Sequence, residues 1–157
     1  MVDSRVSEDK AMRVVEDGQL IATFFFGPHM FGLPVEEVIE INKDLEVTPV
    51  PLAPPYVAGI INLRGQILTA INLAKRVGLK YELKEEANYH NVICGTRDEP
   101  VSLQVERIGD VINVPAHLIE PPPADIDGLD VKYVKNVSKL PDRLLVILNG
   151  DLVRASH

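Results

Sequence analysis

What this chain of 157 residues lacks narrows its function before anything it contains. It has no Trp, only 5% aromatic residues and a single cysteine, Cys94. A lone cysteine forms no internal disulfide, and "NVICG" around it reads as a strand carrying a small buried thiol. No segment approaches the ~20 apolar residues of a membrane span. The opening "MVDSRVSEDKAMRVVEDGQ" has neither the apolar centre nor the cleavage pattern of a secretory signal. Basic residues are in deficit, 16 against 23 acidic ones, and the resulting net charge of −7 argues against attachment to phosphate backbones or anionic lipid. These absences predict a cytoplasmic protein with no nucleic-acid partner and no direct membrane insertion.

Patterns of catalysis are missing as well. His29, His90, His117 and His157 lie far apart, with no His-x-His or i,i+4 spacing, and one cysteine gives them no usual metal-binding company. There is no P-loop, no dinucleotide fingerprint and no GxSxG elbow. "FGPHMFG" has two glycines but not the spacing that phosphate binding needs, so Gly27-Pro28 reads as a turn. Adjacent acids such as Glu36-Glu37 and Glu85-Glu86 diverge along an extended chain and read as solvated charge. The expectation is a protein with no catalytic residues, metal or cofactor.

What is present is a core of Val, Ile and Leu. The apolar runs are short, β-branched and bounded by Gly, Pro, Asn or Asp, which predicts a mostly β protein. Strands are expected at 20–26, 30–33, 38–41, 57–63, 66–72, 91–95, 101–105, 110–114, 131–137 and 144–148. Helix is confined to short pieces: "LAKRV" at 73–77 ends on Gly78, a suitable C-terminal cap, and 116–119 forms a single turn. The polar run "KYELKEEAN" at 80–88 reads as an exposed linker where two halves of the sequence meet, with residues 1–17 as an N-terminal extension.

The two halves resemble each other. "YVAGIINLRGQILTAINL" at 56–73 lies without a gap over "YVKNVSKLPDRLLVILNG" at 133–150, matching Tyr56 with Tyr133, Val57 with Val134, Leu63 with Leu140, Leu68 with Leu145 and Asn72 with Asn149. Upstream, "VEEVIEI" from Val35 is echoed loosely by "VERIGDVINV" from Val105. An alternating sheet tolerates no one-residue slip, so a gapless match suggests the same hairpin made twice, in two small related barrels. At its tip the first copy has Arg64-Gly65 and the second Pro141-Asp142. Gly65 supplies a permissive backbone and Pro-Asp is a plain turn former, so the turn itself does not demand a cation. Arg64 is thus either a recognition residue or a solvated, locally paired one. The proline clusters "PVPLAPP" and "PPPADIDG" sit between predicted strands, where fixed φ suits a crossover inside a barrel better than a polyproline ligand.

At this point a family becomes recognisable. "FGLPVEEVIEI" followed by "VTPVPLAPPYVAGIINLRGQILTAINLAKRVGL", with "VSLQVERIGDVINV" and "LPDRLLVILNGDLV" later, resembles the CheW family of chemotaxis coupling proteins across nearly the whole chain. The resemblance implies two SH3-like five-stranded β-barrels, intertwined within residues 18–157. It also implies a bacterial adaptor that is not an enzyme, tying chemoreceptor cytoplasmic tips to the regulatory domain of a CheA-type histidine kinase within membrane-associated arrays. Carried over by position, it puts receptor binding at Val38, Glu40, Gly59, Leu63, Arg64 and Gly65, and kinase binding at a neighbouring surface that includes Ile41. Arg64 would present a fork of donors to the receptor or, alternatively, bridge the two barrels. Asn72 and Asn149 stand where the family often has acids, and Ser102 where it often has Gly.

Overall fold

The computed structural model describes residues 17–81 and 88–155, so most of the 80–88 linker, and all but the last residue of the 1–17 extension, lie outside the described residues. Among the described residues eleven strands form two sheets. One is ordered β10-β11-β2-β1-β9 and uses β1 (Gly18–Phe26), β2 (His29–Pro34), β9 (Arg107–Pro115), β10 (Val134–Lys139) and β11 (Leu144–Leu148). The other is ordered β3-β7-β8-β6-β5-β4 and uses β3 (Val38–Asn42), β4 (Val47–Thr48), β5 (Val57–Leu63), β6 (Gln66–Asn72), β7 (His90–Gly95) and β8 (Pro100–Val105). The second barrel is thus continuous in sequence and inserted between β2 and β9 of the first, which is discontinuous. Neither half of the sequence builds a barrel alone.

The repeat survives in hydrogen-bond detail. Each hairpin is antiparallel, has a bulge near its start (between Val57 and Gly59, and between Val134 and Asn136), and sends its second strand parallel to the second strand of another hairpin. Ala70 pairs with Ser102 as Ile147 pairs with Gly32. Both hairpins close the same way: the N–H of Asn72 donates to the Tyr56 carbonyl and that of Asn149 to the Tyr133 carbonyl, each at 2.8 Å. Leu68 and Leu145 are both buried. Two short helices follow, α1 (Leu73–Val77) and α2 (Gly150–Arg154), capped by Asn72 Oδ1 accepting from the Lys75 N–H and Asn149 Oδ1 accepting from the Leu152 N–H. Asparagine caps a helix as well as aspartate does, which accounts for these departures from the acidic pattern.

Alternation explains the uninterrupted apolar runs. In "TFFF" Phe25 joins a cluster with Met30, Leu145 and Ile147 inside the discontinuous barrel, while Phe24 and Phe26 face the other way. In β7 Ile93 turns into the continuous barrel with Leu63 and Leu68, while Val92 and Cys94 turn out. The outward faces of both sheets meet, together with α1 and α2, in the largest cluster of the molecule. Strands buried on both faces need no polar residues in alternation. Cys94 is fully buried there, and burial pushes its thiol up to about 12, so it is an inert packing residue.

Several elements depart from the sequence-based expectation. Residues 131–133 form a 3₁₀ turn rather than the start of a strand, because Asp130 caps it, its side chain accepting from the Lys132 N–H. β9 begins at Arg107, three residues early, and carries a bulge against β1. Gly109 permits this, since a Cβ there would overlap Thr23 and the Phe25 ring. β4, two residues long, leaves no periodic signal. The 116–119 turn is present as 3₁₀ over Ala116–Leu118, and the "PVPLAPP" cluster links β4 to β5.

Candidate protein-binding site

The loop that carries Arg64 is a two-residue turn between Leu63 and Gln66, which pair across β5 and β6. Arg64 has φ 52° and Gly65 φ 89°, both left-handed, as the hairpin turn that matches strand twist requires. The side-chain oxygen of Asn62 accepts from the Gly65 N–H at 2.8 Å and holds the turn closed. Contrary to the expectation from sequence, Gly65 does not supply the special backbone by itself: Arg64 also occupies a left-handed conformation, which costs a non-glycine residue ~1–2 kcal/mol. The second tip is not the same turn, because neither Pro141 nor Asp142 has a positive φ.

Arg64 Nη2 donates to Glu40 Oε1 on β3. The hydrogen bond and charge of Arg64 hold the Glu40 carboxyl below the usual carboxylate range, against a smaller opposing effect of desolvation. The arginine side chain is 70% exposed and the glutamate 27%. One carboxylate oxygen therefore fixes the guanidinium while its other donors face solvent. Both residues belong to the continuous barrel, so this pair does not bridge the two barrels.

That bridge exists elsewhere, at a residue the sequence reading passed over. Arg76, buried on α1, donates to the carbonyls of Val153 at 3.0 Å, Leu152 at 3.2 Å and Ala155 at 2.6 Å, which end α2. Its guanidinium also lies 4.1 Å from the Tyr56 ring centroid and 5.2 Å from that of Tyr133, the two repeat-related tyrosines. α2 is pinned further by Arg154, which pairs with Asp151 at 2.7 Å and with Glu37 at 3.2 Å, so Glu37 is a partnered acid rather than a solvated one. The repeat could have located α2: 73–77 shifted by 77 residues (133 − 56) is 150–154.

The remaining predicted residues separate into surface and support. Ile41 is 47% exposed and follows Glu40 on β3. Gly65 is open, and a Cβ there would meet nothing within 4 Å. Leu63 is buried in the continuous barrel and Val38 packs against the shared core. Gly59 is buried, and a Cβ there would overlap the Thr48 carbonyl oxygen, so it permits close approach of β4. At Ser102 the hydroxyl donates to Asn91 Oδ1 at 3.0 Å, a buried polar pair, whereas at Gly32, its equivalent in the other copy, a Cβ would overlap the Ile21 side chain. A groove of about 810 Å³ runs beside the root of the hairpin, lined in part by Val50, Pro54, Val57, Ile60, Val101 and Arg154. Among the described residues no group of three or more metal-binding side chains gathers, and no helix is long and apolar enough to cross a membrane.

Comparison with known proteins bears on this arrangement. Residues 21–156 match the CheW-like domain. The chain is 33% identical over 141 residues to the chemotaxis protein CheW of Treponema pallidum (strain Nichols), covering 88% of this chain and 83% of that one. It is 31% identical over 140 residues to the chemotaxis protein CheW of Bacillus subtilis (strain 168), covering 88% of each. The crystal structure of the scaffolding protein TtCheW from Thermoanaerobacter tengcongensis is similar with a TM-score of 0.74 and 30% identity, over 84% of this chain and 89% of that one. The doubled hairpin, the inserted barrel and these matches together make this chain a member of the CheW family, chemotaxis scaffolds rather than enzymes.

Proposed function

We propose that this chain couples the cytoplasmic tips of chemoreceptors to the regulatory domain of a CheA-type histidine kinase, working in the cytoplasm and helping to assemble the signalling array. The observation that carries this reading is Arg64: a largely exposed arginine at φ 52°, aligned by Glu40. An exposed ion pair contributes only ~0–1 kcal/mol, less than the ~1–2 kcal/mol cost of that backbone, and Asn or Gly would make the turn more readily. Strain at a residue the fold does not need supports a role in recognition.

In this reading Arg64 offers its free donors to acceptors or carboxylates of the receptor tip, and Glu40 sets its direction. Leu63 and Gly65 shape the turn, and Val38 and Gly59 hold the two strands that carry the pair. Ile41, the exposed apolar residue beside Glu40, contributes to the kinase-facing surface. Co-sedimentation with a receptor fragment and with the kinase regulatory domain tests the assignment. Arg64→Ala is expected to lose receptor and keep kinase, and Ile41→Glu to do the reverse. An Arg64→Ala protein that binds receptor as the parent does, at an unchanged melting temperature, removes Arg64 from the site.

A further inference from the structure

We propose that Arg107 and Arg143, gathered over the Phe25 ring at one end of the discontinuous barrel, form a docking site for paired carboxylates on an acidic segment of a protein partner. Phe25 and Arg107 are cross-strand partners on β1 and β9, and Phe25 pairs with Met30, which pairs with Leu145, close in sequence to Arg143. The Arg107 guanidinium lies 4.0 Å from the Phe25 centroid and that of Arg143 lies 5.3 Å from it. Contact with one ring restricts two long side chains before any ligand arrives, so less rotamer freedom is lost on binding.

Their charge is poorly matched within the chain. Among the described residues Arg107 donates only to the Gly27 carbonyl, at 3.4 Å. The acid next to it, Glu106, is committed elsewhere, accepting from the Gly27 N–H at 2.7 Å and the Tyr81 hydroxyl at 3.1 Å. Arg143 pairs with its neighbour Asp142 at 3.2 Å, and that carboxylate is 70% exposed, an arrangement that a partner's carboxylate exchanges with little cost. By contrast Arg64 and Arg154 face acids from other elements, and Arg76 donates to three carbonyls. Two like charges over one ring in a chain of net charge −7 repel each other, and an anion relieves that repulsion. The planar forks of arginine suit carboxylates, which they bind with two parallel hydrogen bonds. This site is on the barrel that does not carry Arg64, so it stands or falls separately from the receptor assignment.

The test is an NMR titration of the full chain, read at the Arg107 and Arg143 Nε–H signals, with three probes: a Glu/Asp-rich peptide, the same peptide with every acid amidated, and inorganic phosphate. The acidic peptide is expected to shift both signals and to lose affinity as salt rises. The amidated peptide should leave them unmoved. Arg107→Gln and Arg143→Gln should each weaken binding at least fivefold, and Arg107→Lys, which keeps the charge but not the fork, should weaken it less. Arg97→Gln, at an exposed arginine of the continuous barrel that lies over no ring among the described residues, should bind the peptide as the parent does. Equal binding of the amidated peptide, undiminished binding by the Arg107→Gln/Arg143→Gln double variant, or response to phosphate without response to the peptide each overturns the proposal.

Discussion

The two hairpins, 56–73 and 133–150, share register, bulge, helix cap and closing hydrogen bond, yet differ at the tip and at one position on the bulge. The first tip is a left-handed Arg-Gly pair tied to β3 through Glu40, and the second is Pro-Asp with ordinary backbone, its Asp142 paired with the next residue, Arg143. On the bulge the first copy has Gly59 under the Thr48 carbonyl, and the second has Asn136, whose amide donates to the Glu120 carbonyl at 3.3 Å. The scaffold is therefore set by what the copies have in common, and specialisation sits where they differ. A residue that differs between copies is either packed differently, as Gly59 is, or turned outward, as Arg64 is.

The largest effect that would break this comparison is at Arg76, which has no counterpart in the other copy, where Val153 occupies the equivalent place. Arg76→Ala leaves the carbonyls at the end of α2 without their charged donor and is expected to cost about 3 kcal/mol, read as a denaturant midpoint shift. Next is Gly59→Ala, which sets a Cβ against backbone and should cost about 2–3 kcal/mol, whereas Asn136→Ala loses one hydrogen bond and should cost about 1 kcal/mol. Equal costs at the two positions would show that the bulges are not as different as their backbones indicate.

Arg64→Ala should change stability by no more than about 0.5 kcal/mol while costing about 2 kcal/mol of receptor binding, roughly thirtyfold in affinity. Arg64→Gly sharpens the point, because relief of the left-handed strain should raise stability by about 0.5–1 kcal/mol with the same loss of binding. The smallest effect is in pH. The Glu40 carboxyl is depressed in the folded protein, so its contribution is present above the ordinary carboxylate value and is lost as pH falls through the lowered one. An NMR titration of Glu40 should show the depression in the parent and its loss in Arg64→Ala.

The sequence by itself determined the class and most of the elements. Short β-branched runs with Gly, Pro and Asn at their ends leave few choices besides strands, and a gapless match at a fixed offset specifies a repeated hairpin because strand faces alternate every residue. The "NLRG" tip was legible through family resemblance, and the comparison of tips marked Arg64 as a residue the hairpin does not demand. The tertiary structure alone decided which strands share a barrel. β2, which ends at Pro34, lies beside β11, which starts only at Leu144, and nothing local in either strand names the other. It decided that Gly59 and Leu63 lie under the surface, with Val38 half-buried, while Glu40 meets Arg64, since burial depends on what the rest of the chain brings near. It also decided which arginine is the structural one. Arg64 and Arg76 are alike as residues, and only long-range packing surrounds Arg76 with two tyrosine rings and three carbonyls while leaving Arg64 facing solvent.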